Sequence, residues 1–122
     1  MTRARPLRTP DYLSHIAEAI ALIQTYTAGM DASGFLGDRK TQDAVIRNLE
    51  IIGEACHNVL KRDPAFAQLH PQVPWGFAYE MRNALAHGYF TVDLPIVWTT
   101  VTHDLPTLDA QVQALQALFQ DP

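Results

Sequence analysis

"RKTQDAVIRNLEIIGEACHNVLKR", residues 39–62, is the stretch on which the fold turns. Val45, Ile46, Leu49, Ile52, Cys56, Val59 and Leu60 recur at steps of three and four, which puts them on one face of a long helix opening after Asp38. Gly53 lies inside that helix. An interior glycine costs about 1 kcal/mol of helix propensity relative to alanine, and close approach of a neighbouring backbone is a reason to carry one.

The segments on either side repeat the same period. Thr9-Pro10 reads as an N-cap with proline at the first helical position, and Leu13, Ile16, Ala17, Ile20 and Ile23 then recur until Gly29. "GMDASGFLG", residues 29–37, reads as a glycine-containing connection. Pro64 and Pro71 bracket "AFAQLH", which leaves room for a short helical turn only. Pro74-Trp75 opens a third long helix that stops near Gly88, a good C′ residue. Asp93-Leu94-Pro95 starts the last, with Ile96, Val97, Val101, Leu105, Leu108, Val112, Leu115 and Leu118 apolar. Pro106 must kink or split it, because proline lacks the amide proton and clashes with the preceding turn. Strand signals are scarce, and there is no internal repeat. The expectation is all-α: an up-and-down four-helix bundle with a short extra helix and a Pro-kinked last helix, in which Trp75 and Trp98 anchor the core.

A chain of 122 residues with 48% hydrophobic content closes one core, so a single domain over 1–122 is expected, with residues 1–8 a flexible basic tail. No apolar run suits a membrane span or a secretory signal, which points to the cytoplasm. Cys56 is the one cysteine, so an internal disulfide and a cysteine-rich zinc cage are excluded and a plain buried thiol is expected. A net charge of −4 argues against non-specific coating of nucleic acid, which needs many phosphate-neutralising cations. Any such contact must be local.

The third helix ends in "RNALAHGYF", residues 82–90. Arg82 and His87, five apart, are displaced by roughly 140° around the axis and do not share a face. Asn83 and His87 do share one, together with Glu80. Phe77, Ala78, Met81, Ala84 and Leu85 fill the opposite arc and leave Arg82 at its rim. A place in the final turn favours protonated imidazole, and Asn83 can hold the ring, so His87 is suited to proton transfer near neutral pH. Arg82 can curl toward the same cleft or meet the histidine of a second protomer. The plainer alternative pairs Arg82 with Glu50 or Glu54 and lets His87 cap the helix. On spacing alone, that alternative has the better claim.

"EACH" places Glu54 and His57 at the Glu-x-x-His spacing of di-iron bundles, but the motif occurs once where such a site wants two. Glu54 as a buried partner of Arg47 or Arg82, with His57 exposed, is favoured. Arg47 shares its helix with Glu50, Glu54 and Lys61, so it reads as structural, with a cleft-lining role as the alternative. Tyr89 alone reads as core filling with its hydroxyl at the surface.

Three stretches carry a resemblance: "RNLEIIGEACHNV" at 47–59, "VPWGFAYEMRNALAHGYF" at 73–90 and "VDLPIVWTTVTHDLPTL" at 92–108. Together they resemble the HepT toxins of the HEPN superfamily of helical ribonucleases, from the first helix to Leu108. The specific core is Arg-x4-His-x-Tyr, a weak pattern alone and a strong one after "IGEA" and within "PW…MRN…HGYF". The resemblance implies a four-helix bundle that forms a homodimer, lines one cleft with both Arg-x4-His motifs, and cuts RNA, tRNA or messenger, without metal or other cofactor. Residue by residue it gives Arg82 and His87 the catalytic positions and Asn83 the polar position beside the arginine. Tyr89 matches the tyrosine that a cognate MntA-type minimal nucleotidyltransferase antitoxin adenylylates, as in type VII toxin–antitoxin systems. A helical adaptor that docks on such a nucleotidyltransferase without cutting RNA is the competing function.

Overall fold

The computed structural model describes residues 6–87 and 92–120, and within them leaves aside the side chains of Phe77, Ala84, Ala86 and His87. The expectations for most of the basic tail, for the helix stop at Gly88 and for Tyr89 therefore lie outside the described residues. The elements are α1 (Thr9–Thr27), α2 (Ala32–Leu36), α3 (Arg39–Arg62), α4 (Pro64–Leu69), α5 (Trp75–His87), α6 (Leu94–Thr99), a π-helical turn (Thr100–Asp104) and α7 (Leu105–Ala117). Among the described residues there is no strand, and no helix is long and apolar enough to cross a membrane.

Aspartates start four of these helices. Asp31 accepts from the Gly34 amide at 2.7 Å, Asp38 from Thr41 at 3.0 Å, Asp63 from Phe66 at 3.3 Å and Asp93 from Ile96 at 3.2 Å. Each satisfies an amide that the first turn leaves without an intrahelical partner. α1 ends where Gly29 adopts φ +76°, a left-handed conformation that side chains disfavour. The segment expected to be plain connection holds α2 instead. Phe35 of α2 is fully buried, and the buried Gln42 amide donates to the carbonyls of Phe35 and Leu36 at 2.9 and 3.0 Å. One side chain from α3 thus terminates the short helix that precedes it.

The helices run up, down, up and down. The Thr9 hydroxyl donates to Asp63 at 2.6 Å, tying the start of α1 to the end of α3. Phe119, just past α7, meets Phe66 of α4 at 5.7 Å between ring centroids, and Gln111 of α7 donates to the Gln72 carbonyl at 3.0 Å. The core joins Leu13, Ile16, Ile20 and Ile23 of α1 to Val45, Leu49, Ile52, Cys56 and Val59 of α3 and to Leu105, Leu108, Val112 and Leu115 of α7. Trp75 is buried, its indole donating to the His70 carbonyl at 3.0 Å, and Trp98 stacks on Phe35 at 5.1 Å. Burial pushes the Cys56 thiol up to about 12, so it remains protonated and packs as an apolar group.

Pro106 splits the last helix rather than bending it. Proline cannot donate to the carbonyl one turn back and its ring crowds that carbonyl, and the wider π turn at Thr100–Asp104 opens just ahead of it. Threonine hydroxyls bond back to carbonyls one turn earlier along this stretch: Thr100 donates to Ile96 and Thr102 to Trp98, each at 3.0 Å.

The Asp38 cap carries a pH signature. Hydrogen bonds from the backbone amide and the hydroxyl of Thr41, with Lys40 adding its charge, hold its carboxyl below the ordinary value of 3.8. A carboxyl lowered in the folded state contributes stability that is full above its unfolded value and drains away as pH falls toward the folded one. Melting temperatures measured from pH 6 to pH 3 should fall more steeply for the wild type than for Asp38→Asn, with the difference opening below about pH 4. Parallel curves would remove the cap from the acid response.

Candidate active site

α3 and α5 pack antiparallel, and Gly53 decides how closely. A Cβ built there would overlap the Cβ of Arg82 and lie 2.6 Å from the Ala78 carbonyl oxygen, so the backbone of α5 rests where a side chain would stand. The glycine legible in the sequence is therefore the contact point of the two helices. Arg82 leaves α5 directly over α3 and turns outward across it. Its Nε lies 3.3 Å from Oε2 of Glu54, and one of its terminal amino groups donates to Oδ1 of Asn83 at 3.0 Å.

This arrangement corrects one sequence expectation. Glu54 does pair with Arg82, but half of its side chain is exposed, because the pair lies at an open cleft and not inside the core. Arg47 pairs with Glu50 at 3.7 Å instead, with its own side chain largely exposed. Ion pairs this open to water contribute about 0–1 kcal/mol each, so they orient side chains more than they stabilise the bundle. A guanidinium has five N–H groups in a rigid fork; among the described residues one donates to Asn83 and Nε lies in the ion pair with Glu54, so further donors are open to an anion.

The surface around Arg82 forms a cleft of about 240 Å³ between α1 and α3, lined by Tyr12, His15, Arg47, Glu50, Glu54 and Asn58. A larger cavity of about 410 Å³ lies between α3, α5 and α7, lined chiefly by Leu49, Ile52, Ala78, Met81, Leu105 and Leu108. Its walls are apolar and exclude Arg82, so the smaller cleft is the one equipped for chemistry.

Of the expected site residues, Arg82, Asn83, Glu54 and Arg47 come together on this face. His87 is the last residue of α5, in the final turn as expected, and its side chain lies outside the description. Tyr89 lies outside the described residues. His57, expected to be exposed, is half-buried: its ring stacks on Tyr79 at 3.9 Å with 17° between planes. Tyr79 was invisible as a site residue in the sequence, since nothing local pairs a tyrosine on one helix with a histidine on another. Among the described residues, no group of three or more His, Cys, Asp or Glu is gathered as metal ligands would be.

Residues 16–115 match the ribonuclease HepT-like family. The chain belongs to that family. A HepT-like relative from Thermococcus cleftensis, named as a probable ribonuclease HepT, is 47% identical over 106 residues that cover 87% of this chain and 94% of the relative. A relative from Caldanaerobacter subterraneus, named provisionally as an RNase, is 36% identical over 89% of this chain and 96% of its own length. One from Methanocaldococcus jannaschii, whose name joins gamma-glutamylcyclotransferase to a provisional RNase, is 41% identical over 83% of this chain but only 44% of its own length, so the HepT-like domain is about half of that protein. No solved structure matches the chain significantly.

Because Gly53 sets the α3–α5 distance, Gly53→Ala must push the helices apart and carry Arg82 off Glu54. The clash is with backbone as well as side chain, so the expected loss is about 1–3 kcal/mol in chemical denaturation, despite the better helix propensity of alanine. A variant as stable as the wild type would show that the close approach is not needed.

Proposed function

We propose that this HepT-like chain is a metal-independent endoribonuclease, the toxin of a toxin–antitoxin pair, acting through Arg82 and His87 at the cleft of a homodimer. The observation that carries the proposal is the Arg82 guanidinium, set on an open face by Glu54 and Asn83 with donors to spare, in a chain whose full-length relatives bear ribonuclease names.

The chemistry suits these residue types. The ribose 2′-hydroxyl attacks the adjacent phosphorus as an imidazole takes its proton, and the bond from phosphorus to the 5′-oxygen breaks as an imidazolium returns a proton to that oxygen. The products are a 2′,3′-cyclic phosphate and a 5′-hydroxyl, with protons and electrons balanced. Arg82 offers the charge that the crowded phosphorane needs. Positions 82 and 87 stand roughly 140° apart around a helix by its periodicity, which favours a second copy that brings its histidine to the first copy's arginine. RNA, tRNA or messenger, is the proposed substrate.

Regulation is proposed at Tyr89. A cognate MntA-like nucleotidyltransferase would transfer AMP from ATP to its phenolic oxygen, releasing pyrophosphate, and the added phosphate and base would obstruct the cleft by charge and volume. The competing adaptor shares the fold but cuts nothing, so cleavage itself separates the two.

His87→Ala and Arg82→Ala, each shown to melt like the wild type, should slow RNA cleavage at least about 100-fold, and cleavage by the wild type should persist in excess EDTA. Undiminished cleavage by His87→Ala would overturn the assignment. Incubation with the partner enzyme and ATP should add AMP to the wild type but not to Tyr89→Phe by intact-mass spectrometry, and an unmodified wild type would retire the regulatory proposal.

A further inference from the structure

The His57–Tyr79 stack is used neither by the core nor by the proposed chemistry. Both rings are half-buried, so each keeps a surface to solvent. Among the described residues, neither the Tyr79 hydroxyl nor the His57 ring makes a hydrogen bond to protein, and no polar side-chain atom is buried without a partner, so their polar tips face water.

Their position is specific. Tyr79 precedes Arg82 by three residues on α5 and His57 follows Glu54 by three on α3, so the stack and the Arg82–Glu54 pair are successive rungs of one antiparallel seam. Three residues advance a helix by about 4.5 Å, which puts an aromatic surface one rung from a phosphate-binding guanidinium. Single-stranded RNA is bound by this pairing of elements, a cation for the backbone beside a flat ring for an unstacked base. Two long side chains prearranged by their mutual stacking lose little freedom when a third ring is added.

We infer that the stacked His57–Tyr79 pair is a platform for a nucleobase of single-stranded RNA, holding the base of a nucleotide whose phosphate binds Arg82. This rests on the ribonuclease reading for its substrate but not for its test. Stacking serves the flat face of any base, so the platform holds the nucleotide in place, separate from the groups that move protons.

The test uses the full chain and a short single-stranded oligonucleotide that is 2′-O-methylated throughout, so that it cannot be cleaved, and carries 2-aminopurine. Binding to the wild type should quench 2-aminopurine, as stacking on an aromatic ring does. Tyr79→Leu and His57→Leu fill the seam without a π surface. Each should weaken binding roughly ten-fold or more and abolish the quench, while Tyr79→Phe keeps both. Tyr79→Ala and His57→Ala, where folded, should behave like the leucine variants. On cleavable RNA the leucine variants should raise KM with kcat nearly unchanged. Wild-type affinity and quenching in both leucine variants, or no binding of the oligonucleotide by the wild type, would overturn the platform. Cleavage with unaffected leucine variants would leave the nuclease and remove the platform; binding with quenching but no cleavage of ordinary RNA would do the reverse.

Discussion

Two helices can approach only as closely as the side chains between them allow, and α3 meets α5 at a position where it has none. At Gly53 the α5 backbone takes the space of a missing Cβ, with Ala78 and Arg82 directly above. An arginine starting from that height need not be extended to cross α3, so its Nε lies beside Glu54 while its far end is still at the surface. The same approach brings Tyr79 within stacking distance of His57 one rung along. A single absent side chain thus sets the polar face on which every functional proposal for this chain depends.

The rest of the bundle holds that seam in register. α3 is packed between α1 and α5, and only its third face is open to water. The contact from Thr9 to Asp63 fixes α3 lengthwise against α1, and aspartate caps set where the helices begin. α6, the π turn and α7 close the far side, where the larger cavity is chiefly apolar and is not lined by Arg82. The candidate site is therefore an open cleft at the surface of the seam, not an enclosed cavity.

Electrostatics demand that locality. The chain carries a net charge of −4, and the carboxylates of Glu50 and Glu54 face the arginines on the open side of α3. A phosphate approaching this face gains little from the overall field and must be recognised by directed donors. In the proposed function Arg82 would supply them, since Glu54 and Asn83 orient its guanidinium and orientation would substitute for bulk positive charge.

Helical periodicity is a property of consecutive residues, so the helices α1, α3 and α5, the interruption before Pro106 and the odd position of Gly53 were all legible in the linear chain. So was the Arg82-to-His87 spacing within its family context, now joined by the family match over residues 16–115. α2 was not, because its burial depends on Phe35 entering a core made elsewhere and on Gln42 reaching back to its carbonyls. Nor was the half-exposed state of Glu54 or the partnership of His57 with Tyr79. The sequence by itself determined which residues share a helix and which face of each helix is apolar. Only the tertiary structure decided which helix each face meets, because that choice rests on contacts between residues some twenty to thirty positions apart whose geometry is set by packing and not by local spacing.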